Sequence, residues 1–165
     1  MLRKIISGGQ TGADRAGLDF AIQVGLDHGG FVPRGRRAED GRIPDQYNLT
    51  ELSSVSYAVR TKRNVREGDG TVVFCLDPIL TGGNALTFEY AGQVKKPRIH
   101  IHKSAADYSD KAFFQEVGRL RDFIESHPVA VLNVAGPRES NQPGVYAFAL
   151  KMLRQYWEIT KGSHR

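Results

Sequence analysis

The chain has 165 residues, 40% hydrophobic and 25% charged, which is ordinary for one globular domain with a real core. A formal charge of +5 favours an anionic partner, either a phosphorylated small molecule or a nucleic acid. One cysteine, Cys75, excludes an intrachain disulfide and a cysteine-cluster metal site. No apolar run approaches the roughly 20 residues of a membrane span, and Met1-Leu2-Arg3-Lys4 leads straight into a short strand with no signal-peptide core, so a cytoplasmic location is expected.

The first strand is expected over residues 3–7. It breaks into Gly8-Gly9-Gln10-Thr11-Gly12-Ala13-Asp14, after which small and apolar residues recur at helical spacing from Ala13 to about Leu26. Strand, glycine turn and helix start make an anion site: unpaired N–H groups of the first helical turn point outward, and glycines let a phosphate approach. Gln10 and Thr11 add side-chain hydrogen-bonding groups. The plainer alternative is a tight turn whose glycines serve sterics alone. Asp14 is the odd member, because an acid beside a phosphate repels it; it caps its helix, pairs with Arg15 or holds a ribose hydroxyl. Neither a dinucleotide fingerprint nor a P-loop fits. The glycines fall at 8, 9 and 12, the next strand ends in Arg34, Arg36 and Arg37 in place of an acid, and Ala13-Asp14 stand where a P-loop has Lys and Ser or Thr.

His28-Gly29-Gly30 reads as a turn and Phe31-Val32 as a second short strand. The segment 33–49, with two prolines, two glycines and four arginines, has little periodicity. Ile43, Tyr47 and Leu49 can anchor it, and its arginines, Arg34 and Arg36 above all, suit phosphate or carboxylate recognition or lie solvated on a surface loop. Residues 57–67 read as a helix carrying Arg60. Residues 71–76 read as a strand buried on both faces, with Cys75 a small core residue. Next comes a second glycine turn, Leu80-Thr81-Gly82-Gly83-Asn84, opening a helix that runs to about Val94. Two such turns after parallel strands fall on one sheet edge, where open α/β folds bind ligands.

Residues 98–102 form a strand with His100 and His102 on one face, read as a sheet-surface pair in preference to metal ligands. An amphipathic helix spans 110–126, and residues 129–134 are the last strand. That strand breaks at Ala135-Gly136-Pro137-Arg138, and the last helix starts at Pro143. The alternation gives a Rossmann-like, doubly wound and mostly parallel sheet of about five strands with helices on both faces. Residues 1–160 are expected to form a single domain and 161–165 a frayed tail.

Four further stretches join the first turn: Pro33-Arg34-Gly35-Arg36 with Ala38-Glu39-Asp40-Gly41, Arg60-Thr61-Lys62-Arg63-Asn64-Val65, Leu80-Thr81-Gly82-Gly83, and Asn133 to Ser140. With them the sequence resembles, over nearly its whole length, the family described as putative molybdenum cofactor carriers, the circularly permuted YpsA-like branch of the SLOG superfamily. The resemblance implies a Rossmann-like fold, a nucleotide-like ligand and frequent homo-oligomers. It also implies a binding protein for the molybdenum cofactor, a phosphate-bearing pterin with a dithiolene-bound metal, and no metal ligand from the protein. On that reading Gly8, Gly9, Thr11 and Gly12 cradle phosphate, with Gly82 and Gly83 doing so from the neighbouring strand end. Gln10, Asp14, Thr81 and Asn84 supply hydrogen bonds, and Arg34, Arg36 and Arg138 supply charge. The same groups suit an AMP-like nucleotide.

An enzymatic alternative comes from the superfamily's cytokinin-activating phosphoribohydrolases. These use an arginine on a helix, a Gly-Gly pair and a glutamate further on, and Arg60, Gly82-Gly83 and Glu89 fall in a similar order. A carboxylate there assists water attack on an N-glycosidic carbon while the arginine stabilises charge. The threonine after the glycines, Thr87, is displaced by one position, which favours Glu89 as a solvated helix residue. Nucleic-acid binding is disfavoured, because the positive charge sits in strand-end loops and not in a helical stripe with interleaved aromatics.

Overall fold

The structure is a computed structural model and describes residues 1–103 and 109–162. In chain order the elements are β1 (Lys4–Ile6), α1 (Ala13–Val24), β2 (Asp27–Gly29), β3 (Phe31–Val32), β4 (Arg37–Ala38), β5 (Gly41–Arg42) and β6 (Thr50–Glu51). They continue with α2 (Tyr57–Glu67), β7 (Gly70–Cys75), α3 (Gly82–Gln93), β8 (Arg98–His102), α4 (Asp110–Ser126), β9 (Val131–Ala135) and α5 (Val145–Gly162).

Five strands form one parallel sheet in the order β2-β1-β9-β7-β8. The last strand of the chain therefore lies at the centre, with Lys4 opposite Val131 on one side and Gly70 opposite Leu132 on the other. Counted from β9, the order becomes 3-2-1-4-5, that of a dinucleotide-binding doubly wound sheet cut and rejoined at a new place. Alternation along β7 and β9 sorts the two faces. Val72, Phe74, Leu132 and Val134 meet α1, α4 and α5 in the main core, which also buries Phe20, Leu120, Met152 and Leu153. Burying each such side chain is worth about 1.5–3 kcal/mol. On the other face Asn133 Nδ2 donates to Thr71 Oγ1 at 3.2 Å, beneath α2 and α3, whose contact holds Val65, Tyr90 and Ala91. Cys75 is fully buried, and burial pushes its thiol up to about 12.

The helix ends follow the local chemistry. Gly25 closes α1 in the left-handed region at φ 75°, its N–H donating to Ala21 and Ile22 carbonyls. Ser56 and Ser109 cap α2 and α4. The Glu139 carboxylate takes the N–H groups of Gly144 and Tyr146 at the start of α5. Helix α3 has no side-chain cap.

Three local expectations differ from the structure. The second sheet strand is Asp27–Gly29, not Phe31–Val32. A polar edge strand needs only one partner and shows no apolar alternation, so it reads as a turn. Phe31–Val32 instead pairs with Thr50–Glu51, away from the main sheet. Segment 33–49 is built, not irregular: β4 and β5 form a hairpin, and Ile43 and Tyr47 are buried with Leu18 and Val32. Finally, α5 includes Lys161 and Gly162, and the rest of the expected tail, 163–165, lies outside the described residues.

Candidate functional site

Because β9 lies between β1 and β7, the loops leaving the carboxyl ends of all three strands meet, and they surround a cleft of about 730 Å³. The order of this doubly wound sheet reverses between β9 and β7, and the loops that leave those two strands both line the cleft. Gly8, Gln10 and Asp14 line it from the β1 side, Thr81, Gly82, Gly83 and Asn84 from the β7 side, Arg138 from the β9 loop, and Arg60 from α2.

The first turn is closed by the chain's own side chains. Gly9 N–H donates to Ser7 Oγ at 3.2 Å, Gln10 N–H to Asp14 Oδ2 at 3.2 Å and Thr11 N–H to Gln10 Oε1 at 3.1 Å. Asp14 thus reaches back from the first turn of α1 and takes the place an external anion would occupy. Arg60 Nη1 donates to the same Asp14 oxygen at 3.3 Å and to the Gly8 carbonyl at 2.8 Å. Burial is the largest influence on Asp14 and raises its pKa from an ordinary 3.8 to about 6; Arg60 and the Gln10 amide pull the other way without overcoming it. Gly12, at φ 81°, passes so close to the Pro137 carbonyl that a Cβ would collide with it. A Cβ on Gly9 would meet Leu49 and Ile43 at about 3 Å. Neither Gly9, Thr11 nor Gly12 lines the cleft.

The second turn is open. Among the described residues no acceptor meets the N–H groups of Gly82 and Gly83, and a Cβ on either would meet nothing within 4 Å. Gly82 takes φ 54°, which glycine adopts without strain. Two free amides at the start of a twelve-residue helix carry the positive end of its dipole into the cleft.

The arginines divide by location. Arg138 lies 5.2 Å from the centre of the Tyr57 ring, and Arg60 lies 5.4 Å from it. Arg36 is buried outside the cleft, its guanidinium engaged by the carbonyls of Ile43, Pro44, Tyr47 and Leu49. Arg34 is exposed outside the cleft, its backbone N–H bonded to the Ser54 carbonyl. The 33–49 loop therefore brings no arginine to the cleft. Its contribution is to hold the first turn: Glu39 bonds Thr11, Ser140 Oγ and Ser140 N–H, and Arg15 pairs with Asp40 at 2.8 Å. Hydrogen bonds from Ser140 and then Thr11 keep the Glu39 carboxyl below its usual range.

Glu89 is exposed on α3 and does not line the cleft, although Arg60 does. Among the described residues no group of three or more His, Cys, Asp or Glu side chains is placed to hold a metal ion. His100 and His102 stand 5.2 Å apart, centre to centre, on β8.

Tyr57, Asp77 and Gln142 also line the cleft and are absent from the sequence-based set. Gln142 takes the Leu76 N–H at 2.6 Å and donates to Asp77 Oδ2 at 3.0 Å, tying the β7 and β9 loops together. Tyr57 carries a readable signal, since it precedes Arg60 by one helical turn. The Gln142–Asp77 bridge spans distant segments and carries none.

A doubly wound sheet with a polar cleft at its switch point and open amides on one wall defines a Rossmann-like α/β protein with a candidate ligand site. The chain belongs to the circularly permutated YpsA SLOG family, whose pattern matches residues 5–157. The strand order counted from β9 is what such a permutation requires. The fold is also close to that of a protein from Syntrophus aciditrophicus SB named putative molybdenum carrier protein: the sequences are 43% identical, the match covers 94% of each chain and the TM-score is 0.87. No curated protein matches the chain.

Proposed function

We propose that this protein binds and carries a small ligand with a terminal phosphate, and that the ligand is a pterin of the molybdenum-cofactor type. The observation that carries the reading is the pair of unpartnered amides, Gly82 and Gly83, opening into the cleft that Arg138 also lines. They fit a phosphate, and the polar wall of Gln10, Asn84, Asp77 and Asn133 fits the edge of a pterin ring. The family and the name of the Syntrophus aciditrophicus protein support this choice over AMP. When bound, such a cofactor brings its own dithiolene-held molybdenum, and the chain's residues hold its phosphate and ring. The proposal extends to a single-domain subunit over residues 1–160, working in the cytoplasm as a homo-oligomer. Among the described residues no helix is long and apolar enough to cross a membrane.

The test is titration of the wild type and Gly83→Asp with inorganic phosphate and with molybdenum cofactor, followed by thermal shift. Ligand at 100 times its Kd raises stability by about 2.7 kcal/mol. Gly83→Asp has room for its side chain and puts a carboxylate on the open amides. It is expected to melt no lower than wild type and to lose both ligands at least tenfold. Wild type that responds to neither ligand, or a variant that binds as well as wild type, rejects the proposal.

A further inference from the structure

We infer that Tyr57 is a positioning residue: its ring holds the Arg138 guanidinium ready for the anionic group of the ligand, so an uncharged aromatic side chain sets part of the affinity for phosphate. The inference rests on the binding reading above, because it concerns the same cleft.

Tyr57 is the first residue of α2, is half-buried and lines the cleft. Guanidinium groups from three separate elements gather about its ring. Arg138, from the loop after β9, lies 5.2 Å from the ring centre, Arg60 of α2 lies at 5.4 Å and Arg37 of β4 at 6.0 Å. Two of the three have other anchors. Arg60 Nη1 donates to the Gly8 carbonyl and to Asp14, and Arg37 Nη2 donates to the Val55 carbonyl at 3.2 Å. Arg138 differs: among the described residues no oxygen accepts from its guanidinium and no carboxylate pairs with it, so the ring is its one close contact. Arg138 is half-buried, and none of its nitrogens is both buried and without a partner, so its donors reach open space.

A guanidinium carries five N–H donors in a flat fork that matches a phosphate. On a flexible stem it samples many rotamers, and a ligand that engages it must first immobilise it. Contact with the negative face of an aromatic ring reduces that cost and uses no N–H, so the whole fork stays available. The ring also lessens the repulsion among three like charges drawn to one place. The aromatic face does this, and the phenol hydroxyl is not required.

The test is titration calorimetry with inorganic phosphate on wild type, Tyr57→Phe, Tyr57→Leu, Arg138→Gln and the Tyr57→Leu/Arg138→Gln double variant, with thermal melts to verify that each is folded. Arg138→Gln is expected to weaken phosphate at least about tenfold, the loss of a charge-assisted hydrogen bond. Tyr57→Leu is expected to weaken it about three- to fivefold, the worth of a cation–ring contact at an accessible site, and Tyr57→Phe to stay within about twofold of wild type. In the Arg138→Gln background Tyr57→Leu should cause no further loss, because Tyr57 acts through Arg138. If Tyr57→Leu does not fold, Tyr57→Met is held to the same expectations. The inference is overturned by Tyr57→Leu binding phosphate as wild type does, by Tyr57→Phe losing as much as Tyr57→Leu, or by a Tyr57→Leu loss that persists in full without Arg138. Phosphate binding that Gly83→Asp removes but Arg138→Gln leaves intact overturns this inference and keeps the binding reading. Wild type that binds no phosphate overturns both.

Discussion

Gly8-Gly9-Gln10-Thr11-Gly12 and Leu80-Thr81-Gly82-Gly83-Asn84 both link a parallel strand to a helix on one sheet edge, yet their amides have different fates. At the first turn Ser7, Gln10 and Asp14 engage the N–H groups, and glycines 9 and 12 are packed against neighbouring loops. At the second turn Thr81 leaves α3 uncapped, and its two glycines face open space. Similar local sequence thus yields engaged amides that brace the fold in one place and open amides, the receptor of the proposed function, in the other. What separates them is an acid two residues into α1, Asp14, for which α3 has Gly83.

The widest separation between the turns should appear on adding a single methyl group. Gly12→Ala forces a left-handed backbone on alanine and drives a Cβ into the Pro137 carbonyl, at a cost of about 3 kcal/mol. Thermal melting should fall by roughly 10 °C. Gly83→Ala has no such conflict and replaces glycine in a helix, so it should change stability by no more than about 1 kcal/mol, in the stabilising direction. Equal losses at the two positions would erase the distinction.

A smaller effect comes from Asp14. Its folded pKa, about 6, lies above the ordinary 3.8, so the folded chain binds the proton more tightly than the unfolded chain. The resulting stabilisation is fully present below about pH 4 and is lost as pH rises through about 6. Glu39 and Asp40, whose pKa values are lowered, act in the opposite direction, but they are common to wild type and Asp14→Asn. The stability of wild type relative to Asp14→Asn should therefore decline between about pH 4 and about pH 7, measured by denaturant melts at each pH. A difference independent of pH would show that Asp14 does not titrate in this range.

Where the chain was readable depended on whether its signal was local. Periodicity marks α2 and α4 at their observed ends, and the apolar run 71–76 shows a strand buried on both faces. β2 carries no such signal, being a polar edge strand. The central place of β9 is set by pairing with strands far away in sequence, and nothing within Val131–Ala135 records it. The arginines show the same limit at the site. Arg36 and Arg138 both sit in glycine- and proline-containing loops after strands, but only loop closure reveals that four carbonyls engage Arg36 while Arg138 lines the cleft. Likewise the sequence offers Glu89 in a suggestive order after Arg60 and the glycine pair, and helix phase turns it to solvent.

The most direct check is where an anion settles in crystals of the wild-type protein soaked in inorganic phosphate. Phosphate is expected on the amides of Gly82 and Gly83, with Asp14 still bonded to the Gln10 N–H. Phosphate bound instead at the Gln10 amide, with Asp14 displaced, would contradict the assignment of receptor and brace.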